Sequence, residues 1–154
     1  MNQSMDNKQY FYLLIMAVLS FISMYILMYS MVDVFNNVYP NYNQLYMAGL
    51  MSMPMVLIEL IIMRAMYKNK KWNLLIIIGS VVGLVGCFLF IRQQTAIGDV
   101  QFLKSMIPHH SGAILMCNES SIQDPEIIEL CKKIRLSQKE EIDQMKVILK
   151  RLEK

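Results

Sequence analysis

Charged residues are almost absent from three long stretches of this 154-residue chain. Residues 10–32 and 74–91 contain no Asp, Glu, Lys or Arg, and residues 46–63 contain a single acid. A helix needs about 18 apolar residues to cross a bilayer, and each stretch reaches or exceeds that length. The absence of charge excludes an ordinary soluble domain. It predicts three membrane helices, at about residues 10–32, 46–65 and 74–91.

Basic residues are also absent from the first link between the predicted membrane helices. Residues 33–45 contain no Lys or Arg, whereas residues 64–71 contain one Arg and three Lys. Cytoplasmic links carry the excess of basic residues, so the second link is predicted to be cytoplasmic. The N-terminus is then cytoplasmic and the C-terminal part lies outside the cytoplasm. We therefore divide the chain into a membrane domain, residues 1–92, and an extracytoplasmic domain, residues 93–154.

The C-terminal domain is predicted to consist of two helices. Asp99 is the expected N-cap of the first helix, in which apolar residues recur with helical spacing as far as Met116. Asp124 then supplies a second cap, and Pro125 suits the first position of a second helix. That helix is expected to end at about Leu152. The domain therefore has the sequence of a helical hairpin.

A regular stripe runs along the second helix of this hairpin, with members alternately four and three residues apart. Its members are Ile127, Cys131, Ile134, Gln138, Glu141, Met145, Ile148 and Leu152. An amide or a carboxylate buried in such a stripe without a partner costs several kcal/mol, so polar groups are expected to face Gln138 and Glu141.

The turn near Asp124 sets the register of the hairpin. Residues whose numbers add up to roughly 248 should face each other if the two helices rise equally from the turn. This register places His110 opposite Gln138 and Cys117 opposite Cys131. It also places Met106 near Glu141.

The two histidines of the chain are adjacent, at His109 and His110. Met106 precedes them by one helical turn, and Met116 and Cys117 follow within two turns. Imidazole, thioether and thiolate are the donors that select copper(I), and imidazole and thiolate also suit zinc. Metal binding is therefore the first functional hypothesis. The alternative is a pair of polar side chains whose hydrogen bonds are satisfied at a helix interface.

The same region resembles a known family over about 50 residues. The residues that carry the resemblance are Asp99, Phe102, Met106-Ile107-Pro108-His109-His110, Gly112-Ala113-Ile114, Met116, Asp124-Pro125, Ile134, Gln138, Glu141-Ile142 and Met145. This pattern is similar to the domain of unknown function 305 family, and the three spans before it resemble the membrane-anchored branch of that family. The resemblance implies a ferritin-like hairpin, usually paired into a four-helix bundle, that handles copper or another metal outside the cytoplasm.

The predicted fold is therefore all-α, with three transmembrane helices and an extracytoplasmic hairpin that pairs into a ferritin-like four-helix bundle as a homodimer. The candidate metal ligands are His109, His110, Met106, Met116, Glu141 and Met145, followed by Gln138, Cys117, Cys131 and Asp99. Copper is the first choice of metal and zinc the second.

Cys117 and Cys131 lie outside the family pattern, and three roles are open for them. They can form a disulfide that closes a loop of about 15 residues, they can join a soft-metal site as free thiols, or they can be small core residues. Cys87 is expected to pack within the third span. Glu59, the one charge within the predicted spans, either has a functional role or is a protonated, hydrogen-bonded side chain.

Three functions follow from these features. The first is a membrane-anchored metal-binding protein in copper handling or metal homeostasis, the second is a structural or assembly subunit whose hairpin dimerises, and the third is a redox or di-metal enzyme on a ferritin-like frame. The Glu-x-x-His motif of di-iron bundles, a Ser/His/Asp set and a phosphate-binding loop are all missing, which weighs against an enzyme. The expected partners are the lipid bilayer, a metal ion and a second copy. Nucleic acid is not expected, because no basic stripe remains beyond the cytoplasmic link.

Overall fold

A computed structural model describes residues 2–154, with side chains from Lys8 onward. Within this range the chain is all-helical and contains no strand. The five α-helices are α1 (Asn2–Leu27), α2 (Tyr42–Ile62), α3 (Lys70–Gln93), α4 (Asp99–Glu119) and α5 (Pro125–Leu152), and two 3-10 helices, Met28–Met31 and Phe35–Asn37, lie between α1 and α2.

Three segments are long and apolar enough to cross a membrane, namely Lys8–Met31, Tyr42–Ile62 and Lys70–Gln93. The prediction of three such helices is confirmed, with shifted ends. The third begins at Lys70, four residues before the apolar run, because Asn69 caps it. The side-chain oxygen of Asn69 accepts hydrogen bonds from the backbone N–H groups of Lys71 and Trp72, at 3.1 and 3.2 Å.

The described chain divides into two compact units. One unit, which we call the membrane unit, comprises α1 and Asn43–Thr95. In it, a cluster of buried residues contains Leu13 of α1 and Val56 and Leu60 of α2. Glu59 lies beside this cluster, and one of its carboxylate oxygens accepts a hydrogen bond of 3.4 Å from the hydroxyl of Tyr67. Glu59 therefore has a hydrogen-bonding partner. The interpretation of Glu59 as a protonated, hydrogen-bonded side chain requires such a partner.

The second unit combines the hairpin with the segment between α1 and α2. Met28–Tyr42, which we call the linking segment, and Ala96–Lys154 form this hairpin unit. Met28–Tyr42 thus packs with the C-terminal helices. Gly112 allows the contact, because a Cβ atom there would lie only 3.3 Å from the backbone oxygen of Met31.

The caps of the hairpin agree with the sequence at one helix and differ at the other. The Asp124 side chain accepts hydrogen bonds from the backbone N–H groups of Glu126 and Ile127, at 2.9 and 3.1 Å, and Pro125 is the first residue of α5, as predicted. At α4 the prediction was wrong. Gly98 is the N-cap, and Asp99 is the first helical residue, where its carboxylate favours the positive end of the helix dipole.

The buried face of α5 is rotated from the predicted stripe. Its buried residues are Ile142, Met145 and Leu149, whereas Ile127, Glu141 and Leu152 are exposed. The predicted stripe assumed that α5 packs against one other helix only. Tyr39 of the linking segment also packs against this core, and this second neighbour turns the buried face by about 45° toward Ile142 and Leu149, while Met145 is buried as the stripe predicted.

Candidate functional site

His110 points into the hairpin and meets Glu141 of α5. Its side chain is only 11% exposed, and its Nδ1 atom lies 3.2 Å from a carboxylate oxygen of Glu141. The two atoms are close, but their geometry is not that of a hydrogen bond. The buried Nδ1 atom has no hydrogen-bonding partner among the described residues. His110 therefore holds a buried nitrogen that is available to a further partner.

Burial lowers the pKa of His110 below its ordinary value of 6.5. The Glu141 carboxylate acts in the opposite direction, and the neighbouring His109 lowers the pKa further. The imidazole is therefore neutral at neutral pH. A neutral imidazole has one nitrogen with a free lone pair, which is the form that binds metal ions.

The partner of His110 differs from the predicted one. The equal-rise register placed Gln138 opposite His110, but Glu141 takes that place. Helical side chains lean toward the N-terminus of their own helix, and in an antiparallel pair these directions converge. His110 leans toward the level of Glu141 while Glu141 leans back toward the level of His110. Gln138 is half-buried and forms no hydrogen bond with either histidine in the described part of the chain.

The predicted register holds for the two cysteines of the hairpin, whose side chains are short. Cys117 and Cys131 face each other as expected and are joined by a disulfide, with their Cα atoms 5.3 Å apart. Of the three roles left open for these cysteines, the structure shows the disulfide. Disulfide sulfurs carry no thiolate, so neither residue is a metal ligand in this form. Cys87 is the free cysteine of the described chain and lies in α3.

Two methionines lie close to the His110–Glu141 contact. Met106 precedes His110 by four residues on α4, and Met145 follows Glu141 by four residues on α5, so each pair shares a helix face. Met145 is buried in the core of the hairpin unit, and Met106 packs against the same core. Met106, His110, Glu141 and Met145 thus lie within about two helical turns of one another in the hairpin.

The other predicted ligands are arranged differently. His109 is exposed, and its ring centre lies 6.0 Å from that of His110. Met116 shares the exposed flank of His109 but lies about 10 Å further along the helix, and Asp99 lies about 16 Å from His110 in the other direction. Among the described residues, no three His, Cys, Asp or Glu side chains come together to hold a metal ion. One chain therefore provides an imidazole, a carboxylate and two thioethers, but not a complete set of imidazole and carboxylate ligands.

A polar cluster around Ser111, about 100° from His110 on α4, was not predicted from the sequence. Asn37 and Ser111 are buried, and the side-chain amide of Asn37 donates hydrogen bonds to Asp33 and Ser111, at 2.8 and 3.1 Å. The Ser111 hydroxyl also donates to the Asp33 carboxylate. One signal was present, because Asp33 is the only charged residue between Lys8 and Glu59.

These features define a class of protein with three helices of membrane-spanning length and a disulfide-linked helical hairpin. The family described as Domain of unknown function (DUF305) matches residues 92–153, and the chain belongs to this family. An uncharacterized protein of Acanthamoeba polyphaga mimivirus is 33% identical over 140 residues, which cover 89% of this chain and 90% of the relative. That alignment is longer than the family match and therefore includes most of the membrane helices. No solved structure matches the chain.

Proposed function

We propose that this chain is a membrane-anchored metal-binding protein whose hairpin unit holds copper(I), with zinc as the second choice. The observation that carries the proposal is the buried Nδ1 atom of His110, which has no hydrogen-bonding partner among the described residues and lies 3.2 Å from Glu141. A buried polar atom without a partner is costly, and a ligand that binds it removes that cost.

The donors around His110 suit a soft metal ion. The thioethers of Met106 and Met145 belong to the core cluster, one helical turn from His110 and Glu141 respectively, and neutral imidazole and thioether groups favour copper(I). The Glu141 carboxylate lies beside the Nδ1 atom of His110 and can bind the metal as a further ligand. Copper would supply a soft Lewis acid there, while the protein would contribute the largely buried donors of His110 and Met145, the half-buried thioether of Met106 and the exposed carboxylate of Glu141.

A second copy of the chain would complete the set. His109 and Met116 lie on the exposed flank of α4, where they can reach a neighbouring hairpin. Two hairpins joined along that flank would form a ferritin-like four-helix bundle, and a two-fold axis would bring both His109 side chains together.

We place the hairpin outside the cytoplasm. Residues 64–71 carry one Arg and three Lys, which favours the cytoplasm for the link between α2 and α3. The Cys117–Cys131 disulfide supports the same orientation, because disulfides persist in oxidising compartments.

Competition with a chromophoric copper(I) chelator tests the proposal on the full-length protein in detergent. Ascorbate serves as the reductant, so that the disulfide stays intact. We expect stoichiometric binding by the wild type and its loss in His110→Ala. Met145→Leu preserves side-chain volume but removes the sulfur, and it should weaken binding about tenfold or more, a change of about 1.4 kcal/mol. Met63→Leu, in the membrane unit, is the matched control and should bind as the wild type does. Wild-type affinity in His110→Ala would reject the site.

The assembly role is the second candidate, and exposed apolar residues on α5 favour it. Leu130 and Leu136 are 54% and 66% exposed, and a hairpin this small rarely buries enough apolar surface alone. Light scattering of the full-length protein in detergent, with and without copper(I), separates the two functions. A dimer that binds no copper(I) would favour assembly, and a dimer that forms only with copper(I) would favour the metal site.

A further inference from the structure

A groove lies on the side of the hairpin unit where the linking segment packs. It has a volume of about 680 Å³ and is bounded by the segment containing Asp33 and Asn37, by α4 and by α5. The basic residues that line it, all from α5, are Lys132, Arg135, Lys139 and Lys146. None of these residues takes part in the proposed metal site.

The four basic residues form a single stripe. At about 100° per residue they all fall within about 60° of one another on the helix. Glu141 lies about 180° from Lys132 in the same projection, so the stripe and the His110–Glu141 contact occupy opposite faces of α5. The groove is therefore a feature separate from the candidate metal site.

The positive charge of the groove is only partly compensated. Arg135 donates to the side-chain oxygen of Asn118 at 3.1 Å, and Lys146 donates to that of Asn37 at 2.5 Å, so both of these cations meet neutral amides. Lys139 forms no ion pair within the described chain. Lys132 forms an ion pair with Glu129 at 3.5 Å, but both side chains are 57% exposed. An ion pair so exposed to solvent contributes little stability.

The acids in the groove do not balance these cations. Asp33 and Asp143 are the two acidic lining residues, against four basic ones, which leaves two positive charges in excess. Asp33 is already engaged by Asn37 and Ser111. Apolar side chains, among them Ile114 and Ile142, form part of the wall.

We propose that this groove binds a phosphate monoester. An Arg fork and Lys ammonium groups are the usual protein partners of phosphate oxygens, and a stripe of four offers several charge-assisted hydrogen bonds at once. The apolar wall accommodates the carbon part of the ester. The same chemistry is present in the headgroup of phosphatidate and in soluble phosphate esters, so the experiment separates these sources.

Lysine acetylation followed by mass spectrometry tests the proposal residue by residue. The full-length protein is placed in phosphatidylcholine nanodiscs and labelled alone, with glycerol phosphate, or in nanodiscs that also contain phosphatidate. We expect slower labelling of Lys132 and Lys139, with Lys133 as the internal control because it neighbours the stripe but does not line the groove.

The outcomes distinguish the ligands. Protection by glycerol phosphate alone identifies a soluble ester, protection by phosphatidate alone identifies a lipid headgroup, and protection by both identifies the phosphate group as the determinant. Absence of protection in both arms, or equal protection of Lys133, overturns the proposal.

Charge reversal supplies the second measurement. Lys139→Glu should lower the affinity for the protecting ligand about tenfold or more. Lys133→Glu changes the net charge equally and should leave that affinity within about twofold of the wild-type value. Equal losses in the two variants would show non-specific attraction and reject the groove. Copper(I) binding in Lys139→Glu should remain at the wild-type level, so failure of this proposal is distinguishable from failure of the metal site.

Discussion

The ammonium group of Lys146 donates a hydrogen bond of 2.5 Å to the side-chain oxygen of Asn37, which lies 109 residues earlier in the chain. Asn37 in turn donates to Asp33 and to Ser111 of α4. The backbone N–H of Asp33 donates to the Ser111 hydroxyl at 2.9 Å. The segment between α1 and α2 is therefore bonded to both helices of the hairpin.

Replacement of Asn37 should weaken the hairpin unit. Asn37→Ala removes the acceptor of Lys146 and the donor to Asp33, and buried polar groups left unpaired cost about 1–3 kcal/mol. Hydrogen–deuterium exchange of α4 peptides should show that loss as faster exchange. Asn36→Ala is the matched control, because Asn36 is the exposed neighbour. Equal exchange in the two variants would show that the network contributes nothing.

The disulfide should stabilise the hairpin. Its two cysteines are 14 residues apart in sequence, and a loop of that size is stabilised by about 3 kcal/mol in the chain-entropy description. Cys131→Ser should lower the unfolding temperature of the hairpin unit and abolish the mobility difference between reduced and non-reduced gels. Cys87→Ser removes only the free thiol and should change neither result. A mobility difference that persists in Cys131→Ser would contradict the Cys117–Cys131 pairing.

Stability of the hairpin unit should fall in mild acid because of His110. Burial lowers its pKa below the ordinary 6.5, so the unfolded state binds a proton more readily than the folded state. The contribution to stability is full above pH 6.5 and declines as the pH falls below it. Denaturant unfolding over that range should show a flatter pH profile for His110→Gln than for the wild type. His109→Gln, at the exposed neighbour, removes only the smallest of the influences on the pKa of His110 and should retain most of the wild-type slope, and a steep profile in His110→Gln would refute the assignment.

The orientation of the hairpin can be measured with a thiol reagent that does not cross membranes. In a background without the three native cysteines, Lys154→Cys should be labelled in intact cells and Lys68→Cys should not, if the hairpin is extracytoplasmic. Lys68 is exposed and, unlike Asn69, caps no helix, so its replacement leaves the start of α3 intact. Labelling of Lys68→Cys alone would show the opposite topology, with the hairpin in the cytoplasm. An oxidising compartment could then no longer be used to explain the disulfide.

Local features of this protein were predictable from its sequence. The three apolar runs, the Asp124 cap and the start of α5 at Pro125 depend on neighbours within a few residues, so the helices and the hairpin turn follow directly. The facing of Cys117 and Cys131 also follows, because they are close to the turn and have short side chains. The adjacent histidines marked the candidate site for the same reason.

Long-range contacts were decided only by the tertiary structure. Packing of Met28–Tyr42 against the hairpin joins residues such as Asp33 and Ser111, 78 positions apart, and no periodicity within either segment encodes that contact. This second neighbour rotated the buried face of α5 to Ile142 and Leu149. The lean of helical side chains then paired His110 with Glu141, because contacts between facing helices depend on side-chain direction and length as well as on residue spacing.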